Sequence, residues 1–245
     1  VHRFHTPYGE YGETSADRFE FSEDAKRVRK YLYDYFVAHG TSPELATIRD
    51  DLELSQDQTW EGLHQLERAN FVVFVPRTED ILKVPPFSAV PNRFRLVAED
   101  GRHWYAGCAG EATTLNAFLP GVRVSVRSWC PACWDPIVFE ICDREVLSME
   151  SEKAVVHIGT HPDRFRENWV STCDSINFFC SREHVAEWEQ AVPQRKGAHF
   201  PIENAMRWTD AVAAMRLDYD RPSNQYTSGM SGSYARLGAD VSVWE

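Results

Sequence analysis

The sequence predicts an α+β fold in which a helical, winged-helix-like N-terminal domain precedes an antiparallel-sheet core with flanking helices. Three observations predict it. Three apolar stripes at helical spacing, each behind its own start signal, lie before Asn70. Short alternating runs separated by turn residues follow from Phe71 onward. Helical spacing then returns late, after Ser181 and again from Ile202.

In order along the chain, residues 22–39 place Val28, Leu32, Tyr35 and Phe36 on one helical face, and Gly40 supplies the stop. Ser42-Pro43-Glu44 opens a second helix with Leu45, Ile48 and Leu52 as its stripe. Ser55 caps a third that carries Trp60, Leu63 and Leu66 and ends near Asn70. Residues 71–75 read as a strand bounded by Pro76. Strands over 94–97 and 103–106 flank a turn at Glu99-Asp100-Gly101. A helix opening at Cys108 runs through Leu115 and Leu119 to Pro120-Gly121. Residues 122–126 alternate and pair with 137–142 across the intervening loop. One late helix holds Val185 and Trp188, the other Ala205, Met206 and Ala213. After Leu217 the chain turns polar, a tail that either caps the site or hangs off it.

Composition narrows the function. A chain of 245 residues with 43% hydrophobic content fills a real core. Thirty-seven acidic against 26 basic residues give a net charge of -11, which repels phosphate backbones, so no nucleic-acid partner is expected. The winged-helix pattern at the front would ordinarily suggest DNA binding, yet the third helix carries Asp57, Glu61 and Glu67 against Arg68; a structural or lid role is expected instead. No apolar run approaches a membrane span and residues 1–17 do not read as a signal sequence, so no membrane partner and a cytoplasmic address are expected. Six cysteines without the dense spacing of a secreted scaffold suggest reduced thiols.

Among those cysteines, Cys108 stands at a helix start with Glu111 one turn on. Unsatisfied N–H groups and the positive helix end favour a thiolate there, and residues three apart are neighbours, so Glu111 is placed to carry protons for the sulfur. Cys173 lies in an alternating stretch that ends in Phe178-Phe179, with Asp174 expected on the opposite face of a strand. Cys142 and Cys180 read as small core residues. Cys130-Pro131-Ala132-Cys133 is a C-x-x-C that finds no second Cys/His pair in the sequence, so structural thiols or an occasional disulfide are preferred to zinc. His103, His157, His161 and His184 read as ordinary histidines. No phosphate loop, dinucleotide fingerprint or serine elbow appears, and no cofactor is expected.

These segments together resemble the organomercurial (alkylmercury) lyase family over residues 86–192. The run from Pro86 through Val90-Pro91-Asn92-Arg93-Phe94 is similar to the family's lead-in to its first core strand, and Ala106-Gly107-Cys108-Ala109-Gly110-Glu111 to the segment of its first catalytic cysteine. Arg127-Ser128-Trp129-Cys130-Pro131 is similar to a structural cysteine segment, and Thr172-Cys173 with Asn177-Phe178-Phe179 to the second catalytic cysteine. The family usually has aspartate where this chain has Glu111. The resemblance implies a helical N-terminal domain (1–86) that covers the site and a lyase-like catalytic core (87–217), after which the polar composition sets off a tail (218–245).

It further implies Cys173 as the first attacking nucleophile, Cys108 as a ligand and proton-handling thiol, and Glu111 in the acid-base position. Two thiolates hold a soft metal, so Cys108 and Cys173 are the expected mercury ligands and an organomercurial the expected small-molecule substrate, cleaved by protonation of its metal-bound carbon. Trp104, Tyr105, Phe178 and Phe179 are candidate apolar walls, and Gly110 leaves room beside the site. Two alternatives stay open: metal-free proton transfer, cyclisation or elimination on a small metabolite in a biosynthetic pathway, and a non-catalytic thiolate metal-binding or regulatory protein.

Overall fold

Ser22, Gly40 and Ser55 punctuate the front of the chain as their residue types require. Ser22 accepts the Ala25 N–H to start α1 (Glu23–His39), and Gly40 ends it in a left-handed conformation at φ 70°. After α2 (Leu45–Asp51), Ser55 and Gln58 close a reciprocal capping box on α3 (Gln56–Arg68). The computed structural model describes residues 19–161, 164–165, 168–221, 234, 239 and 241–244. The expectations for residues 1–18 and for most of the tail lie outside them.

The α+β architecture is as the sequence predicts. Strands β1 (Val73–Phe74), β2 (Ile81–Val84), β3 (Phe87–Ser88), β4 (Arg95–Ala98), β5 (His103–Ala106), β6 (Val124–Trp129), β7 (Pro136–Cys142) and β8 (Glu145–Met149) form an eight-stranded sheet in the order β1-β2-β3-β5-β4-β6-β7-β8. Strands β9 (Val155–Ile158), β10 (Ile176–Phe179) and β11 (Ala198–Pro201) form a second sheet in the order β10-β9-β11. Every pairing among the described strands is antiparallel. The expected partnership of 122–126 with 137–142 is present, with Val124 opposite Ile141 and Val126 opposite Phe139. The strands after the third helix do not stand apart: β2 pairs with β3, which pairs with β5, so one sheet runs through the 86/87 boundary.

The remaining helices are α4 (Ala109–Leu115), α5 (Trp169–Asp174), α6 (Arg182–Ala191) and α7 (Ile202–Leu217). Cys173 therefore lies in a short helix rather than in the expected strand, because Asn168 caps that segment by accepting the Ser171 N–H and only Ile176–Phe179 goes on to pair. Cys142 is also not the core residue expected. Alternation in β7 turns Ile137, Phe139 and Ile141 inward and leaves Cys142 half-buried beside Asp143.

Buried polar contacts lock the front helices to the core. Arg29 of α1 donates to the carbonyls of Met215 (3.3 Å) and Arg216 (2.5 Å) at the end of α7, and the Trp104 indole donates to the Phe36 carbonyl (2.9 Å). Arg144, in the β7–β8 turn, ties α4 to α7: its guanidinium donates to the Thr113 carbonyl, to the Met206 carbonyl at 2.6 Å and to Thr209 Oγ1 at 2.8 Å. No helix among the described residues is long and apolar enough to cross a membrane.

Candidate active site

Strand β5 ends at Ala106, and Gly107 carries the chain to Cys108, whose extended backbone (φ −162°, ψ 178°) makes it the N-cap of α4. Its Sγ accepts the Glu111 backbone N–H at 3.3 Å. The short helix α5 brings Cys173 to the same place, and the Cys173 thiol donates to Glu111 Oε1 at 3.6 Å. Cys108 Sγ, Cys173 Sγ and a Glu111 carboxylate oxygen all lie within 4.8 Å of one another. The three residues singled out from the sequence thus converge, with both cysteines buried and Glu111 half-buried. Glu111 Oε2 is buried without a hydrogen-bond partner.

Gly107 is what admits that carboxylate. A Cβ on residue 107 would stand 2.0 Å from Glu111 Oε2 and 2.7 Å from Lys83 Nζ. Gly110 has a second task beside the one expected. A Cβ there would meet the Trp208 ring at 2.9 Å, so Gly110, which lines the cavity as expected, also seats the ring of α7 against α4.

The expected ease of ionisation at Cys108 is overturned. Burial pushes its thiol well above the ordinary value, the neighbouring Cys173 sulfur and Glu111 carboxylate add to the rise, and the Glu111 N–H opposes it without prevailing. One backbone donor at a seven-residue helix does not outweigh the loss of solvent.

Lys83 is the residue the sequence reading missed. Burial pulls its ammonium down, but the charges of Cys173, Glu111, Cys108 and Asp174 together hold it above its ordinary value. Its signal was present in Ile81-Leu82-Lys83-Val84, where period-two alternation aligns Lys83 with inward-facing Ile81. Arg93 supplies a second cation: its guanidinium is pulled down by burial and up by Asp174 and Cys108, and it donates to the Asn177 carboxamide on β10.

Around Cys108, Glu111 and Cys173 lies a cavity of about 50 Å³, lined further by Phe165, Ile176, Trp208 and Val212. It has room for only a few water-sized groups. The expected walls are elsewhere. Trp104 is held under α1, Phe178 packs edge-on against Phe94 and Phe139, and Phe179 against His157 and Trp188. Strand alternation turns those rings into the sheets, and Phe165, Ile176 at the start of β10 and Trp208 and Val212 of α7 supply the walls instead. Among the described residues, none that lines the cavity comes from α1–α3. From the tail, Tyr234 is fully buried and packs on Trp208 with ring centroids 5.4 Å apart.

A second thiol group is separate from this one. Cys130, Cys133, Cys180 and His184 bring their ligand atoms within 4.8 Å of one another. Cys180 and His184 thus lie beside the pair for which the sequence offers no partners, with Cys180 half-buried against the core. All six cysteines are free thiols.

The family profile described as MerB: Alkylmercury lyase matches residues 87–214. Alkylmercury lyases of Bacillus cereus and Clostridium butyricum are each 28% identical to this chain over 134 residues, 55% of this chain and 58% of the relative. The chain therefore matches less than two thirds of either relative's length. Among solved structures, the mercury-bound form of MerB2 superposes with a TM-score of 0.65 over 79% of this chain and 92% of that one, at 17% identity, a likeness of fold.

Proposed function

Since the chain belongs to the alkylmercury lyase family, we propose that it cleaves the carbon–mercury bond of a small organomercurial by protonolysis, using Cys108, Cys173 and Glu111. The observation that carries this reading is the convergence of two sulfurs and one carboxylate within 4.8 Å in a small apolar-walled cavity. Thiolates are soft donors and bind mercury far more tightly than oxygen ligands do.

In the first step the Cys173 sulfur bonds to mercury and displaces its labile ligand, while the thiol proton passes to Glu111 Oε1, its hydrogen-bond acceptor. Cys108 then gives up its proton and supplies the second sulfur. Two sulfur donors raise electron density on the metal-bound carbon, and Glu111 delivers a proton to that carbon. The carbon–mercury bond breaks, its electron pair forms the new C–H bond, and mercuric ion remains on the two sulfurs. One of the two thiol protons leaves in the hydrocarbon and the other goes to solvent. Lys83 offsets the anionic charge that accumulates among these groups.

We propose a catalytic core over residues 87–217 and a helical domain over 1–86, with the core sheet extended by β1 and β2 from before that boundary. The test is methane release from methylmercury in the presence of excess small thiol. Wild-type chain should evolve methane and Cys173→Ser should evolve none. Tight mercury binding by the wild type with no gas would favour a metal-holding protein instead. One feature favours a second reading, metal-free proton transfer on a small metabolite: Glu111 reaches one methylene further than the family's usual aspartate. In that case Glu111→Asp would lose the native reaction; for mercury cleavage it should preserve or raise the rate.

A further inference from the structure

We propose that Cys130, Cys133, Cys180 and His184 form a structural zinc site, separate from the mercury-handling pocket and independent of the function proposed for it. The four ligand atoms come from two places far apart in sequence. Cys130 and Cys133 lie in the turn that joins β6 to β7, a knuckle closed by the Trp134 N–H on the Cys130 carbonyl (2.9 Å) and the Cys130 N–H on the Asp135 carbonyl (2.9 Å). Cys180 follows the last residue of β10, and His184 lies in the first turn of α6, where its backbone N–H donates to the Ser181 cap at 3.4 Å.

The geometry is that of a tetrahedral ion with three sulfurs and one nitrogen. Zinc holds sulfur at about 2.3 Å and imidazole nitrogen at about 2.0–2.1 Å, which sets two sulfurs about 3.8 Å apart and a sulfur and a nitrogen about 3.6 Å apart. Cys133 Sγ and Cys180 Sγ are 3.8 Å apart, and Cys130 Sγ and His184 Nδ1 are 3.7 Å apart. A disulfide needs its sulfurs at about 2.05 Å and gives the histidine no part. The set Cys-x2-Cys and Cys-x3-His is also the ligand spacing of closed zinc sites, and four protein ligands leave no position open for a reacting group.

What the ion would do follows from what it joins. Cys130 and Cys133 lie in the turn between two strands of the eight-stranded sheet, whereas Cys180 directly follows strand β10 of the three-stranded sheet. At its other end β10 begins with Ile176, a wall of the cavity, just after the helix that carries Cys173. A zinc ion would clamp the two sheets together and hold the far end of the strand that positions the second pocket thiol.

The whole chain, purified reduced and dialysed without chelator, should retain about one zinc per molecule by elemental analysis. After stripping, added cobalt(II) should give the visible d–d bands and near-ultraviolet sulfur charge transfer of a tetrahedral thiolate site. Cys180→Ser and His184→Ala should each lose the metal, whereas a Cys108→Ser/Cys173→Ser double variant should keep it. His184→Cys guards against simple misfolding, because it should still bind cobalt with a shifted four-sulfur spectrum. Absence of both zinc and the tetrahedral cobalt spectrum in reduced wild-type chain would overturn the proposal. So would a spectrum lost only in the Cys108/Cys173 double variant.

Discussion

The Glu111 carboxylate occupies the space that a side chain on Gly107 would fill, with Oε2 standing 2.0 Å from the position of a Cβ there. The acid of the pocket is thus placed by a glycine four residues before it, in the link between β5 and α4. Gly107→Ala should push the carboxylate off its line to the reacting carbon. Misplacement of about 1 Å costs on the order of a hundredfold in rate. Methane release should fall by about that factor while mercury affinity, held by the sulfurs, stays near wild type. An unchanged rate in a folded Gly107→Ala protein would disprove this placement.

Glu111→Gln keeps size and one hydrogen-bonding oxygen but cannot carry a proton. General acid–base groups contribute roughly 10²–10⁴-fold. Turnover should drop within that range with mercury binding preserved, as measured by methane assay and mercury titration in parallel. Loss of binding together with turnover would instead assign Glu111 to holding the metal.

Lys83→Met removes a buried cation whose charge is coupled to Cys173, Glu111 and Cys108. A nearby positive charge favours the thiolate form, so its loss raises the sulfur pKa. The pH profile of thiol alkylation should move to higher pH. A move of one unit would slow alkylation about tenfold at a fixed pH below the midpoint. A profile that stays put or moves down would show that Lys83 does not act on the sulfurs.

Alkaline stability follows from the buried neutral groups. Burial holds the Cys108 thiol and the Tyr234 phenol well above their ordinary values. Between ordinary and raised pKa the unfolded chain ionises and the folded one does not, so the unfolded state binds fewer protons and stability falls with rising pH. The loss opens above 9, the ordinary thiol value, and deepens above 10 as Tyr234 joins. Melting temperature should decline through that range, Cys108→Ser should lessen the first part of the decline and Tyr234→Phe the second. A Cys108→Ser curve that parallels wild type would remove Cys108 from this account.

Gly110→Ala should be costly for a reason unrelated to chemistry. Its Cβ would meet the Trp208 ring at 2.9 Å across the α4–α7 contact. Overpacking of this kind costs about 1–3 kcal/mol. Adding Trp208→Leu should recover part of that, giving a coupling energy in a double-mutant cycle of thermal melts. Strict additivity would show that the clash is relieved elsewhere.

The helix starts were legible because their signals are local: Ser22, Ser55 and Ser181 each accept the backbone N–H of the residue three positions on. The trio of Cys108, Glu111 and Cys173 was legible only through a family likeness, since nothing local says that residues 62 positions apart will meet. Where the reading failed, it failed on long-range facts. Alternation suggested a strand through Cys173, but Asn168 and the limited reach of β9 pairing made its segment a helix. Apolar walls were assigned to the rings nearest in sequence, whereas Phe165, Trp208 and Val212 arrive from other elements. Cys180 and His184 form a recognisable Cys-x3-His, yet their relation to Cys130 and Cys133 exists only once β10 and the β6–β7 turn are brought together.

Strand β10, four residues long, separates the sulfur of Cys173 from that of Cys180. If both proposals hold, a mercuric ion freed at one end of this strand would find further thiolate donors at the other, and soft sulfur would favour mercury over zinc there. On the proposed function, each turnover would expose the protein to poisoning by its own product. Protection then depends on how fast an external thiol carries the ion away, and a chromogenic chelator that reports zinc appearing during turnover would measure how often that race is lost.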